Sequence, residues 1–251
     1  MAYRYKLIIA YDGSDFFGWQ EQPAHHHTVA QELKNSFLKT FGHPIGILGA
    51  SRTDAGVHAL GQVALIRTEL CMDPKTMLSA WNNVLKKGVF IRSIERLLEP
   101  FHPWYNVAQK VYYYHIFVKK PLPFVERYGW YYPYPIDFEK LKQALSFFIG
   151  KHDFKSFTTQ NDFDTDTIRT IDTIECSFIK RFGVFRVTVK GKCFMRYMIR
   201  RIVGAAVHVA ARKSLQISLV KKVLDAKNPH HHLTKAPAHG LMLRAIRYNS
   251  K

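Results

Sequence analysis

Hydrophobic and polar residues alternate at the start of the chain, where Tyr3–Tyr11 places Arg4 and Lys6 on one face of a predicted strand. A helix is predicted at Thr28–Phe41, because Thr28 and a glutamine three residues later have the spacing of a capping box. Predicted strands then flank Asp54. The first half ends with a predicted helix at 73–85 and a predicted strand at 89–97.

The second half also combines the alternation of a strand with the three-to-four-residue spacing of a helix. Its predicted elements are a strand at 110–120, a helix at 137–149, paired strands at 170–181 and 183–192, helices at 194–212 and 217–226, and a final strand at 241–248. Antiparallel strands with few helices indicate an α+β fold, with helices on one face of a mixed, largely antiparallel sheet. The segment "EPFHPWYN" has two prolines and no period, which predicts two halves, residues 1–103 and 104–251.

The charge of the chain indicates an anionic partner. Among 251 residues, Lys plus Arg number 37 and Asp plus Glu 19, which gives a net charge of +18. Nucleic acid is the commonest polyanion bound by such a protein, and the aromatic content of 14% favours it further. A basic surface that serves solubility alone is the alternative.

Other classes of function find little support in the sequence. The three cysteines lack the spacing of a zinc site or a disulfide framework. Asp162–Asp166 has the alternating acids of a calcium loop, but Thr167 and Thr173 replace its glycine and glutamate. The runs His25–His27 and His230–His232 are consecutive, unlike metal ligands on a helix face. No apolar run is long enough to span a membrane, so we expect a cytoplasmic protein without a metal ion.

Two groups of residues have both a structural and a functional interpretation. Arg196 and Arg200 lie four apart on the predicted long helix, either as solvated side chains or as ligands for an RNA phosphate and a carboxylate. Tyr112 and Tyr114 point to the same side of their strand. They are either core residues or a stacking platform for a base.

Asp54 lies between Arg52 and His58 at a predicted joint between strands. A glycosidase would need a second carboxylate, and the motif contains none. A phosphotransferase with an aspartyl nucleophile would typically have Asp-x-Asp, whereas Gly56 occupies the second position. A nucleophile or base that acts without metal is the remaining interpretation.

The stretch "GASRTDAGVHALGQV" resembles the signature of the TruA family of tRNA pseudouridine synthases. Four further motifs resemble that family in the same order: "YDGSDFFGWQ", "KVYYYHI", "FMRYMIRRIVG" and "APAHGLML". The resemblance implies two similar RNP-like halves around a basic cleft, and a homodimer without cofactor. It implies isomerisation of uridine to pseudouridine at positions 38–40 of the tRNA anticodon stem-loop.

The resemblance also assigns roles to residues. Asp54 matches the catalytic aspartate, Arg200 the arginine that pairs with it, and Tyr112 the tyrosine that stacks on uracil. Arg52 matches an arginine that helps to displace the base. From the same motifs we predict further substrate contacts at a second set of residues: His58, Gln62, Lys110, Tyr114 and Arg196.

Two segments depart from the family pattern. "VLKKGVFI" replaces a Leu-Pro-x-Asp-Ile segment, and Trp104 in "FHPW" replaces a common arginine. Both bear on how the tRNA is gripped. The alternatives to an RNA-modifying isomerase are an RNP-like RNA-binding module with a degenerate site and a basic structural dimer.

Overall fold

The computed structural model describes residues 2–23, 27–159 and 166–249 of the chain. His25, His26, Asp162 and Asp164, which belong to the histidine and acidic runs, lie outside the described residues. The chain divides into two compact units, unit 1 (Met1–Ala108 and Met242–Lys251) and unit 2 (Gln109–Leu241). This division differs from the predicted 1–103 and 104–251, because the final strand pairs with a strand of the first half.

Unit 1 is built on a mixed sheet. Its elements are β1 (Tyr3–Tyr11), α1 (Val29–Phe41), β2 (Gly46–Gly49), β3 (His58–Thr68), α2 (Pro74–Val84) and β4 (Val89–Arg96), with β10 (Leu241–Tyr248) returning from the end of the chain. The strand order is β4-β1-β3-β10, and β2 pairs with β3. The β3–β10 pair is parallel and the others are antiparallel.

Local sequence explains the limits of the helices in unit 1. The Thr28 hydroxyl accepts a hydrogen bond from the Gln31 amide at 3.3 Å, which confirms the predicted N-cap of α1. Asp73 caps α2 in the same way, and Pro74 stands in its first turn. The apolar faces of both helices are buried, through Leu33 and Phe37 in α1 and Trp81 in α2.

Unit 2 has a largely antiparallel sheet with the order β5-β9-β8-β7. Its elements are β5 (Val107–Phe117), β6 (Trp130–Tyr131), α3 (Phe138–Ser146), β7 (Gly150–Asp153), β8 (Ile168–Ile179), β9 (Val184–Gly191), α4 (Met198–Ala210) and α5 (Ser218–Ala226). Strands β8 and β9 form the predicted antiparallel pair. The short strands β6 and β7 were not predicted. Helix α3 packs against α4 and also contacts β8.

Both units mix strands and helices, so the predicted α+β class and the mixed, largely antiparallel pairing are confirmed. Within the described ranges, no helix is both long and apolar enough to cross a membrane.

Candidate active site

Asp54 lies in the loop between β2 and β3, as the sequence predicted. Asp54 is half-buried, Thr53 is buried and Arg52 is exposed. The Val57 amide donates to the Asp54 carbonyl at 3.1 Å, and Gly56 has a φ of +77° in this turn. The turn therefore places the neighbouring Arg52 at the surface, while Thr53 faces inward. We call residues 50–57 the Asp54 loop.

The segment that follows β1 holds the Asp54 loop from the inside. The hydroxyl groups of Tyr11 and Thr53 are 2.8 Å apart. The Trp19 amide donates to the Thr53 carbonyl at 3.1 Å, and the Gly56 amide donates to the Phe16 carbonyl at 3.2 Å. The motif "YDGSDFFGWQ" therefore supports the loop that carries the acid.

Two glycines of that motif allow the close approach. Gly18 has a φ of +89°, and a Cβ atom there would lie 2.5 Å from the Thr53 carbonyl oxygen. A Cβ atom on Gly13 would lie 2.0 Å from the Val57 carbonyl oxygen. Because backbone meets backbone at both points, no side chain fits without moving the loop.

The buried residues Gln62 and His58 support the Asp54 loop from β3. Gln62 has no exposed surface, and its amide group bonds both the amide and the carbonyl of Ser51. His58 is 1% exposed, and its Nδ1 lies 3.1 Å from a carboxylate oxygen of Asp12 and 3.0 Å from the Gly13 amide. The substrate contacts predicted for these two residues remain proposals, and in this structure their described polar contacts are with the protein itself.

Tyr112 and Tyr114 of β5 are both buried in this structure. Tyr114 is fully buried and donates its hydroxyl to the Pro237 carbonyl at 2.9 Å. Burial raises the pKa of Tyr114 well above its usual range, which keeps this donor protonated. Tyr112 is 5% exposed and meets Phe194 edge-to-face, with 5.3 Å between ring centroids. The base contacts predicted for Tyr112 and Tyr114 remain proposals.

Lys110, at the start of the same tyrosine motif, is partly buried. Burial lowers its pKa, since removal from water disfavours the charged ammonium group. Its predicted contact with substrate remains a proposal.

The motif "FMRYMIRRIVG" differs from its prediction in one respect. Helix α4 begins at Met198, four residues later than predicted, because Tyr197 has a left-handed conformation with φ +61° and ψ −1°. Arg196 therefore precedes the helix, and the expected four-residue spacing on one helix face is wrong. A bulky residue with positive φ is uncommon, and such strain often accompanies a functional site.

Although Arg196 and Arg200 do not share a helix face, both lie at the Tyr197 ring together with a third cation. Arg196, Arg200 and Lys235 place their charged groups 4.8, 5.1 and 4.5 Å from the ring centroid. The Arg196 guanidinium also donates to the Tyr197 hydroxyl at 3.0 Å. We call these four residues the Tyr197 corner. It concentrates positive charge at one place in unit 2.

Arg200 has a fixed orientation within the Tyr197 corner. Its Nε atom donates to the Ala236 carbonyl at 2.9 Å, and the Ala236 amide donates to the Arg200 carbonyl at 3.0 Å. Gly204, one turn further along α4, allows the approach of this segment, since a Cβ there would lie 2.0 Å from the Thr234 carbonyl oxygen. Ala236, the first residue of the motif "APAHGLML", therefore orients Arg200.

Sequence reasoning missed two members of the Tyr197 corner. Tyr197 fills an unassigned position of its motif, and only the structure reveals its backbone conformation. Lys235 lies in the loop before "APAHGLML" and carries no signal apart from its charge. No group of three or more histidine, cysteine, aspartate or glutamate side chains that could hold a metal ion is found among residues 2–23, 27–159 and 166–249.

Comparison with known proteins agrees with these motifs. A family model for tRNA pseudouridine synthase matches residues 7–105 and 144–249. A tRNA pseudouridine synthase A from Thermodesulfovibrio yellowstonii is 33% identical and covers 97% of this chain and 98% of its own. A tRNA pseudouridine synthase A 1 from Bacillus cereus is 35% identical, with 98% and 99% covered. The chain therefore belongs to the tRNA pseudouridine synthase family.

Proposed function

We propose that the protein isomerises uridine to pseudouridine at positions 38–40 of the tRNA anticodon stem-loop, with Asp54 as the catalytic carboxylate. The observation that carries the proposal is the Asp54 loop, in which a single partly exposed acid stands on a backbone fixed by β1, β3 and the segment between β1 and α1. Such a loop positions one carboxylate without a second acid, as an isomerase of this family requires.

The reaction needs no oxidant and no group donor. The bond between N1 of uracil and C1′ of ribose breaks, the ring turns, and C5 bonds to C1′. The C5 hydrogen leaves as a proton and N1 takes up a proton, so atoms and electrons balance. Asp54 acts in its ionised form whether it attacks the ring, attacks the sugar or removes a sugar proton, because each step uses the carboxylate as nucleophile or base.

The proposed roles of the other residues follow their positions. Arg52 is exposed beside Asp54, which suits a side chain that replaces the flipped base in the stack. Arg200 is proposed to pair with Asp54, and its fixed Nε supports a bidentate contact that lysine would not reproduce. Tyr112 is proposed to stack on the uracil, which requires its contact with Phe194 to change.

Binding of the tRNA is proposed to depend on the net charge of +18 and on the Tyr197 corner. Arg196 precedes α4 with its side chain exposed, in a position that suits an RNA phosphate. We also propose that the protein is a cytoplasmic homodimer, for which a solution mass of twice 29.2 kDa is the expected observation.

Release of tritium from tRNA that carries uridine labelled at C5 tests the function. The purified protein should release tritium from an unmodified transcript in the presence of EDTA, and replacement of the uridines at 38–40 by cytidine should abolish the release. Binding of tRNA without release from any transcript would favour the RNA-binding module over the isomerase.

A further inference from the structure

A second exposed feature of unit 1 lies in the segment Phe101–Tyr105. The rings of His102 and Tyr105 are stacked, with centroids 4.1 Å apart and planes inclined by 21°. Trp104 meets His102 edge-to-face at 5.6 Å. Trp104 is 49% exposed and Tyr105 is 68% exposed, so two consecutive residues have large rings with solvent-exposed surface. We call these three residues the Trp104 cluster.

The Trp104 cluster is exposed but anchored. The Trp104 indole donates to the Gly49 carbonyl at 2.7 Å, and the Trp104 amide donates to Nδ1 of His102 at 3.2 Å. On the other side, the hydroxyl of Tyr248 donates to the Pro103 carbonyl at 2.8 Å. Because indole, amide and neighbouring carbonyl are all bonded, the rings are pre-organised and lose little freedom when they bind a ligand.

The anchor connects the cluster to the Asp54 loop. Gly49 is the last residue of β2, directly before the loop that carries Arg52 and Asp54. A flat ligand against Trp104 would therefore lie beside the segment that approaches the reacting uridine.

The chemistry of the cluster suits a nucleobase. Aromatic side chains stack on the faces of unpaired bases, and a strongly basic protein draws RNA to its surface. An exposed indole offers a stacking face to an unpaired base, and the face of every base is aromatic.

We propose that Trp104 and Tyr105 stack on an unpaired base of the tRNA close to the target uridine. The inference rests on the proposed function, because the RNA is the substrate of that reaction. Stacking supplies affinity and register and takes no part in bond cleavage, so its loss should raise the Kd and the KM for tRNA and leave kcat largely unchanged.

Alanine variants test the stacking. Loss of a stacked base costs about 1–3 kcal/mol, so Trp104→Ala should raise the Kd for unmodified tRNA by roughly 5- to 150-fold. Tyr105→Ala should act in the same direction. Trp104→Phe keeps a ring while it loses the bond to Gly49, so its Kd should lie between those of the wild type and Trp104→Ala. Tyr134→Ala is the matched control, because Tyr134 is 66% exposed in unit 2.

Heparin separates stacking from charge, since it is a polyanion without bases. All four variants should bind heparin as the wild type does. Quenching of tryptophan fluorescence by tRNA, measured in wild type and Trp104→Phe, gives a second readout that does not depend on the alanine variant. Of the other three tryptophans, Trp19 and Trp81 are buried and Trp130 is half-buried, so the quenching that disappears in Trp104→Phe is the part that belongs to Trp104.

Three results would overturn the inference. Unchanged tRNA affinity in both Trp104→Ala and Tyr105→Ala would exclude a stacking site. An equal loss of tRNA and heparin affinity would indicate a change in fold or charge instead. A fall in solution mass in the variants would assign the surface to a second copy of the chain. Failure of the proposed function has a different signature, because wild-type protein would then bind tRNA and release no tritium.

Discussion

At the Asp54 loop, the backbone of Ser51, Thr53 and Gly56 is hydrogen bonded to other residues of unit 1. At the Tyr197 corner, the chain keeps a bulky residue at positive φ and gathers three cations around its ring. Within the part of the chain that the structure describes, no carboxylate pairs with Arg196 or Lys235. One region satisfies its polar groups internally, and the other holds an excess of positive charge.

The difference indicates two kinds of preparation for a substrate. A loop whose backbone groups are satisfied has one geometry and positions a reacting group with little reorganisation. Arg196 and Lys235, which have no described carboxylate partner, repel each other until an anion binds between them, and a left-handed non-glycine residue costs of the order of 1–3 kcal/mol. The difference supports the proposed roles, with catalysis at the Asp54 loop and capture of a polyanion at the Tyr197 corner.

The largest expected effect comes from Asp54→Asn. Asparagine keeps the size and shape of the aspartate side chain, and it keeps the carbonyl group that accepts from the Val57 amide, so the Kd for tRNA should stay near that of the wild type. Turnover should fall by on the order of 10³-fold or more, since an amide is neither nucleophile nor base. Single-turnover tritium release and filter binding measure the two quantities. Substantial turnover in this variant would remove Asp54 from the reaction.

Arg200→Lys tests the proposed partner of Asp54. Lysine retains one charge but loses the planar fork and the bond from Nε to Ala236, so turnover should fall by about 10²-fold while tRNA still binds. Arg196→Lys is the matched control and should stay near wild-type turnover, because a phosphate contact needs charge more than shape. Equal rates in the two lysine variants would contradict the pairing.

Gly18→Ala tests whether the rigidity of the Asp54 loop matters. Gly18 and Gly42 both have positive φ, at +89° and +72°, so alanine at either position should cost about 1–2 kcal/mol. At Gly42 no atom lies within 4 Å of the new Cβ, whereas at Gly18 the Thr53 carbonyl oxygen is 2.5 Å away. Gly18→Ala should therefore lose turnover as well as stability.

Gly42→Ala serves as the control for that experiment and should keep wild-type turnover in spite of a lower melting temperature. If both variants turn over tRNA at the same rate, the close backbone contact between Gly18 and Thr53 does not matter for catalysis.

The sequence predicted most elements because their signals are local. Thr28 caps α1 through its own side chain, and the limits of β1 and β10 agree with the predicted strands. Strands β6 and β7, of two and four residues, are too short for a period to be read. The start of α4 was predicted four residues early, because nothing in a tyrosine indicates a left-handed backbone.

Site residues were harder to predict, because their roles depend on burial. His58 and Gln62 stand in the same motif as Asp54, but β3 carries their side chains into the interior. Lys235 joins the Tyr197 corner only through the fold, since it lies 35 positions after Arg200 in the chain. Local patterns therefore identified the motifs but not the contribution of each residue.

Removal of charge at the Tyr197 corner should have a moderate effect. Lys235→Ala should lower the slope of log Kd against log salt by roughly one and leave the single-turnover rate nearly unchanged. Tyr197→Asn removes the ring without changing the charge, and asparagine accepts positive φ more readily, so the slope should stay at the wild-type value. A slope that changes in Tyr197→Asn and not in Lys235→Ala would contradict an electrostatic role for the corner.

The smallest expected effect is a pH dependence of stability in unit 2. His231 contacts the Ser156 carbonyl through Nε2 at 2.8 Å, and its Nδ1 accepts from the Leu233 amide at 3.2 Å, so the structure holds the neutral ring. Burial lowers the pKa of His231 below the ordinary value of 6.5, and the nearby Arg201 acts in the same direction. The unfolded chain therefore binds more protons than the folded chain once the pH falls towards 6.5.

The stability that the neutral His231 provides is thus present above pH 6.5 and is lost as the pH falls through that value towards the lower folded pKa. His231→Gln keeps a donor for the Ser156 carbonyl and does not titrate, so its melting temperature should fall less than that of the wild type between pH 7.5 and pH 5.5. Part of the dependence should persist in the variant, because burial and Arg212 lower the pKa of His208 as well. If the melting temperatures of the two proteins fall equally between pH 7.5 and pH 5.5, protonation of His231 does not limit the stability of unit 2.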